Sequence, residues 1–245
     1  MRVKLENPIL LSKAIELISE LVVEVRIKVT EFGFSITAID PANVAMVGFK
    51  LPKSAFTSFE LSENKSEVLG VNLESLKKIL KRASSSSSVI LENKDEGTLE
   101  INIDDRVRRK FELSLIEIES EDKEMPSLDY SSKIEINSGD LIASVEDCSV
   151  VSDACTFSVK NKNFIIEAKG LNSARTEYSG DEVRIEGEDC KSRYSLEYLS
   201  KFMKASKMCD KTMLKFANDH PLRMDIKTEI FELGFILAPR VEVDD

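Results

Sequence analysis

Few side chains in this chain are of a kind, and at a spacing, that could do covalent chemistry. There is one histidine, His220, and it stands before Pro221 with no serine or cysteine nucleophile beside it. General base work needs a partner within hydrogen-bond reach, so a structural or surface role is expected for His220. The four cysteines are Cys148, Cys155, Cys190 and Cys209, with no CxxC pair among them. Structural zinc is held by closely spaced Cys and His, so a zinc site of that kind is not expected. A disulfide framework belongs to small secreted domains, and each cysteine is expected to be a small core residue. The acidic stretches lack the spacing of a calcium loop. The glycines are scattered, without a phosphate-cradling or dinucleotide fingerprint. No nucleophile, base, metal or cofactor constellation emerges, and a binding protein is expected rather than an enzyme.

The chemistry that does stand out is electrostatic. Leu73, Leu76, Ile79 and Leu80 mark a helix over residues 73–83, where Lys77, Lys78, Lys81 and Arg82 against Glu74 give a net +3. Leu196, Leu199, Phe202 and Met203 mark another over 196–207, where Lys201, Lys204 and Lys207 against Glu197 give +2. In both, the lysines recur every three or four residues, on the face away from the leucine stripe. Two readings stay open: an ordinary solvated face, or a surface aimed at a polyanion. Lysines without interleaved aromatics suit loose phosphate contact better than base reading. The whole chain has 34 basic and 44 acidic residues, a net charge of −10. That excludes a protein gripping nucleic acid over its entire surface, but not one with a local basic face. A helix near 9–20 is mixed, with Lys13 against Glu16 and Glu20, and one near 139–149 is acidic, with Asp140, Glu146 and Asp147. The basic run Arg106–Lys110 reads as a solvated hairpin end.

The elements that must position these helices follow from periodicity. The chain of 245 residues suits one large domain or two of about 120 residues. Leu10, Leu11, Ala14, Ile15, Leu17, Ile18 and Leu21 give helical spacing over 9–22, and alternation then gives strands at 25–29 and 34–38 around Glu31-Phe32-Gly33. Further strands are expected at 43–51, 58–61, 67–71, 88–92, 98–103 and 109–118, with Asn72 capping the helix that starts at 73 and a serine run, Ser84–Ser88, ending it. Glu119–Ser127 is acidic, holds Pro126 and has no periodicity, so it reads as an exposed linker. No run of ~18 apolar residues exists to span a membrane. Met1–Glu6 lacks the apolar segment of a signal peptide, and an intracellular protein is expected.

After the linker the pattern starts again. Leu10, Leu11 and Ala14 lie 131 residues before Leu141, Ile142 and Val145. Ile27, Val29, Phe34, Ile36 and Ala38 lie 130 before Phe157, Val159, Phe164, Ile166 and Ala168. Leu73, Leu76, Ile79 and Leu80 lie 123 before Leu196, Leu199, Phe202 and Met203; the same shift carries Asn72 to Ser195, and Lys78 and Lys81 to Lys201 and Lys204. The chain reads as two copies of one unit: helix, strands, helix, strands.

Gly33–Val44, with its Asp40-Pro41-Ala42-Asn43-Val44 turn, resembles a stretch of the proliferating cell nuclear antigen (PCNA) family of DNA sliding clamps. Leu69–Leu73 followed by Leu76–Arg82, Val151-Ser152-Asp153 and the closing Leu237–Val241 are similar to that family too, archaeal members above all. The resemblance covers nearly the whole chain. It implies an α+β DNA-clamp fold of two similar domains, 1–118 and 134–245, joined by a connecting loop at 119–133, each with two helices packed on antiparallel sheet. It implies a ring of three subunits, identical or paralogous, that encircles double-stranded DNA as a polymerase processivity factor. On this resemblance Lys13, Lys77, Lys78, Lys81, Arg82, Lys201, Lys204 and Lys207 face the DNA. Arg109, Phe111 and Leu113 of one subunit meet Arg175, Glu177 and Tyr178 of the next. Partner peptides dock on Ile39, Asn43, Val44, Met46, Met125, Pro126, Pro221, Ile236, Ala238 and Pro239. The partners implied are DNA polymerase, the clamp loader replication factor C, flap endonuclease and DNA ligase, with no membrane, in an archaeal cytoplasm. Two features depart from the family pattern: Glu146 and Asp147 on a DNA-facing helix, and Lys123-Glu124 where an apolar residue often precedes the position of Met125.

Overall fold

The computed structural model describes residues 1–61, 66–95, 97–119 and 123–241. The chain divides into two compact units. Unit 1 comprises Met1–Pro41, Val47–Met125 and Glu229–Leu233; unit 2 comprises Ala42–Met46, Pro126–Thr228 and the chain from Gly234 onward. Residues 120–122 of the expected linker lie outside the described residues.

The first set of elements is β1 (Arg2–Glu6), α1 (Ile9–Ser19), β2 (Glu24–Thr30), β3 (Gly33–Ile39), β4 (Ala45–Pro52), β5 (Ser58–Glu60), β6 (Ser66–Asn72), α2 (Leu73–Leu80), β7 (Ser88–Asp95), β8 (Thr98–Asp104) and β9 (Arg108–Ser114). Strands β5-β1-β7-β8-β9 form one antiparallel sheet, and β6-β2-β3-β4 lie side by side in another. The second set is β10 (Ser132–Asn137), α3 (Ser138–Ser149), β11 (Ala154–Lys160), β12 (Asn163–Lys169), β13 (Ser173–Tyr178), β14 (Arg184–Gly187), β15 (Cys190–Ser195), α4 (Leu196–Ser206), β16 (Lys211–Phe216), β17 (Leu222–Lys227) and β18 (Glu232–Leu237). Here β13-β12-β11-β15 form one sheet, and β14-β10-β16-β17-β18 lie side by side in another.

Strand registers repeat with the offsets read from the sequence. Ile27 pairs with Ile36 between β2 and β3, and Phe157 pairs with Ile166 between β11 and β12. Val25 pairs with Val71 between β2 and β6, and Cys155 pairs with Tyr194 between β11 and β15. Alternation explains the strands: in β2, Val25, Ile27 and Val29 are buried while the residues between them face outward. Each unit buries its helices on its sheets. Leu11, Ala14, Ile15 and Ile18 of α1 and Leu73, Leu76 and Leu80 of α2 enter the core of unit 1. Burying each large aliphatic side chain of this kind stabilises the fold by roughly 1.5–3 kcal/mol.

The expected boundaries shift for local reasons. Helix α1 stops at Ser19 rather than residue 22, because Leu21 and Val22 both turn their N–H groups back to the Ile18 carbonyl while their side chains stay buried. Helix α2 stops at Leu80 rather than residue 83, and Lys81 and Arg82 lie in the turn beyond it. Strand β4 starts at Ala45 because Asn43 sits in the left-handed region, at φ 56°. Strand β9 stops at Ser114 rather than 118. Leu115 donates to the Gly97 carbonyl, and Ile116 then donates to Gly70 on β6.

Candidate functional site

The basic faces are built by short, well-ended helices. Asn72 caps α2: its side chain accepts from the Ser75 N–H at 3.0 Å. Glu74 occupies the first turn and Lys77 and Lys78 the last, in accord with the helix dipole. With the leucines buried, Lys78, Lys81 and Arg82 are exposed and Lys77 is half-buried. Lys77 pairs with Glu74, and Lys81 pairs with Glu16 of the adjacent α1. Those lysines draw the Glu74 carboxyl below its ordinary range, chiefly through the Lys77 hydrogen bond. Lys13 is also exposed on α1.

In unit 2, α3 packs against α4. Lys204 and Lys207 are exposed, and Lys201 is half-buried. The Lys201 ammonium lies 5.0 Å from the centre of the Tyr198 ring and 3.3 Å from the Glu197 carboxylate. Sequence reading missed both Tyr198 and Glu16 as partners of these lysines, because contacts within a turn or between helices leave no periodic signal. Ser195 stands at the N-cap of α4, but its side chain makes no capping bond. The exposed charged residues of α3 are Asp140, Glu146 and Asp147.

Among the strands that end the sheets, β9 and β13 share a feature. Strand β9 pairs only with β8, and β13 only with β12. Each edge carries a cation held between two carboxylates: Lys110 between Glu100 and Glu112, at 2.9 and 3.1 Å, and Arg175 between Glu167 and Glu177, at 3.2 and 2.8 Å. Glu100 is held down to about 2, first by the Asn102 amide and then by Lys110. Of the residues expected at a subunit contact, Phe111 and Arg109 are half-buried, and Arg175 and Glu177 are exposed. Leu113 and Tyr178 turn inward instead: Leu113 is buried, and Tyr178 stacks on Phe164 with its hydroxyl donating to the Asp140 carbonyl at 3.0 Å. For Tyr178 the alternation of a strand accounts for this, since it lies on the opposite face from Arg175 and Glu177, whereas Leu113 shares the face of Arg109 and Phe111 and is the most buried of the three. Nor is Arg109 a freely solvated hairpin residue. It donates to the Arg82 carbonyl at 2.9 Å and pairs with Asp105.

The expected docking residues fall in both units and are placed as follows. In unit 1, Ile39 is half-buried, and Met125 lies over Gly48 so closely that a Cβ there would meet its Cγ at 2.6 Å. Lys123 and Glu124 are exposed. In unit 2, Val44, Met46, Pro221, Ala238 and Pro239 are half-buried, Asn43 and Pro126 are exposed, and Ile236 is buried. Ala238 donates its N–H to the Val44 carbonyl at 2.9 Å. Beyond it, Arg240 donates to the Arg193 carbonyl on β15 and pairs with Asp153 at 2.8 Å.

Cys148, Cys155 and Cys190 are buried and Cys209 is half-buried; all four are free thiols. His220 packs edge-on against Tyr130, with ring centres 5.5 Å apart. Among the described residues no group of His, Cys, Asp and Glu is arranged to hold a metal. No described helix is long and apolar enough to cross a membrane.

Exposed basic residues on α2 and α4, helices packed on antiparallel sheet, and edge strands β9 and β13 that each carry an ion cluster form an arrangement suited to binding. Residues 1–124 match the family description "Proliferating cell nuclear antigen, N-terminal domain", and residues 124–240 match "Proliferating cell nuclear antigen, C-terminal domain". The "DNA polymerase sliding clamp" of Thermococcus onnurineus is 35% identical over 232 residues, covering 91% of this chain and 92% of that protein. The "DNA polymerase sliding clamp" of Pyrococcus horikoshii is 36% identical over 244 residues, covering 94% of each. The crystal structure of the proliferating cellular nuclear antigen from Entamoeba histolytica superposes with a TM-score of 0.90 at 25% identity, covering 98% of each chain. The chain belongs to the proliferating cell nuclear antigen family.

Proposed function

We propose that three copies of this archaeal-type polymerase processivity clamp close head to tail into a ring around duplex DNA. The edge of β9 in one subunit pairs with the edge of β13 in the next, with Phe111 supplying the apolar contact. Head-to-tail contacts that close give rings, and the pairing removes two open sheet edges. Lys13, Lys77, Lys78, Lys81, Arg82, Lys201, Lys204 and Lys207 face the duplex. The observation that carries this reading is the exposed basic face recurring at equivalent positions of α2 and α4 in a chain of net charge −10. A ring is held by topology, so its phosphate contacts can stay weak and mobile, while the acidic remainder repels DNA from the outside.

The chain works by binding and not by catalysis. DNA polymerase, the clamp loader, flap endonuclease and DNA ligase dock through a short apolar motif on the unit 2 surface at Val44, Pro221, Ala238 and Pro239, their backbone pairing with the C-terminal segment.

Sedimentation over a wide concentration range tests the assembly. A species near three times 27.5 kDa is expected, and Phe111→Arg is expected to reduce it to monomer. A wild-type monomer at every concentration overturns the self-closing ring and points to paralogous partner subunits. An unchanged trimer in Phe111→Arg overturns the edge assignment.

A further inference from the structure

We propose that Ser85, with Ser84 and Ser86 beside it, is a phosphoacceptor site for a serine kinase that selects basic residues on the N-terminal side. The serine run joins the end of α2 to β7 and has two halves. Ser84, Ser85 and Ser86 are exposed, whereas Ser87 and Ser88 are buried. Ser87 is the anchor: its hydroxyl oxygen accepts from the Ser84 N–H at 2.9 Å and donates to the Asp105 carboxylate at 3.2 Å. Its N–H closes a turn on the Ser84 carbonyl at 3.1 Å. The Ser84 hydroxyl lies 3.0 Å from those of both Ser86 and Ser87. The Ser85 hydroxyl, at the tip of the turn, has no hydrogen-bond partner among the described residues, which leaves it available as a nucleophile.

The flanking charge fits a cation-selecting kinase. Lys81 and Arg82 stand four and three positions before Ser85, both exposed, and no acidic residue occurs between Glu74 and Glu92. In the transfer, the bond from the γ-phosphorus of ATP to its bridging oxygen breaks and a bond from that phosphorus to Ser85 Oγ forms. The hydroxyl proton passes to the kinase's base, and ADP leaves with the electron pair. One phosphate adds about −1.5 to −2 of charge at pH 7. That offsets about half to two-thirds of the net +3 carried by Glu74, Lys77, Lys78, Lys81 and Arg82. Lys81 and Arg82, four and three residues before it, are cations that such a phosphate can draw away from other phosphates. The consequence for DNA rests on the ring reading above; the acceptor chemistry does not.

The test uses the full chain with ATP and the catalytic subunit of cyclic-AMP-dependent protein kinase as the probe. Mass spectrometry of the tryptic peptide from Ala83 to Lys94 is expected to show one phosphate, mainly on Ser85. Ser85→Ala should remove most of it and S84A/S85A/S86A all of it. No incorporation, or equal incorporation in the triple variant, overturns the site. The phosphorylated chain is then loaded on nicked circular duplex, and its retention is compared with the unmodified chain at several salt concentrations. Retention time should fall about fivefold with the sedimentation mass unchanged. Unmodified chain that escapes circular DNA as fast as linear DNA overturns the ring reading itself. Unmodified chain retained on circles, with phosphate making no difference, overturns only the regulatory consequence.

Discussion

Ile27 faces Ile36 across β2 and β3 in unit 1, and at the same place in unit 2 Phe157 faces Ile166. Val71 of β6 is likewise matched by Tyr194 of β15. In unit 2 the rings interlock: Phe157 lies 5.7 Å from Phe164 and 5.6 Å from Tyr194, both edge-on, and Phe202 stacks on Phe235 at 4.4 Å. Unit 1 keeps one of these rings, Phe34 at the place of Phe164, but has Ile27, Val71 and Ile79 where unit 2 has Phe157, Tyr194 and Phe202, and an apolar cavity of about 20 Å³ remains among Leu11, Ile15, Ile27, Phe34 and their neighbours. The two units therefore share strand register and helix placement while filling the space between them with different shapes. Backbone pairing holds the repeat in place, and packing is free to diverge so long as volume and polarity are kept.

The exit segments give the sharpest way to break this equivalence. Ile116 donates to the Gly70 carbonyl, and 124 residues later Arg240 donates to the carbonyl of Arg193, the match of Gly70. The unit 1 segment passes over a glycine, and a Cβ on Gly70 would stand 2.0 Å from the Ile116 carbonyl oxygen, whereas position 193 already carries a side chain. Gly70→Ala is expected to push that segment off β6 and cost about 3 kcal/mol. Arg193→Ala should cost about 1 kcal/mol or less. Chemical denaturation of both variants checks this, and equal losses would mean the two exits are held alike.

A smaller difference separates the caps. Asn72→Ala removes a bond to the Ser75 N–H and should cost about 1 kcal/mol. Ser195→Ala removes no capping bond and should stay within about 0.5 kcal/mol in the same assay.

The smallest effect is in acid. Glu100 in unit 1 has its carboxyl lowered from 4.5 to about 2, so its contribution is present in full above pH 4.5 and is lost as pH falls towards 2. Glu100→Gln should flatten the fall of stability across that window. In the unit 2 cluster, Glu177 on the edge strand is also lowered, first by Arg175, and Glu177→Gln should flatten the same limb. A pH series of unfolding midpoints in which neither variant differs from wild type would remove these edge clusters from the acid response.

Much of this architecture is legible in the residues. Period-two and period-3.6 patterns mark the strands and helices because each element buries one face, and the three offsets survive because register must be kept for those faces to stay buried. Where the pattern outran the element, the side chains stay buried at Leu21 and Val22, and half-buried at Leu115, Ile116 and Ile118, although the backbone has already turned. The basic faces were readable because Lys78 and Lys204 simply project from short amphipathic helices. The inward turn of Tyr178 was not, since a strand edge offers the same residue types to both faces. Nor was Arg109's tie to Arg82 and Asp105, which joins a helix end to a hairpin through a long side chain and leaves no local trace.

The cation held between two carboxylates at each open edge has a further meaning for a freshly made subunit. Under the edge pairing proposed above, such a subunit must wait for a second copy while other extended chains also pass. A bare edge would accept any of them. With Lys110 and Arg175 standing on the rim, each ringed by acids, a stray strand must part an ion cluster to dock, so the edge stays unclaimed until a matching surface arrives.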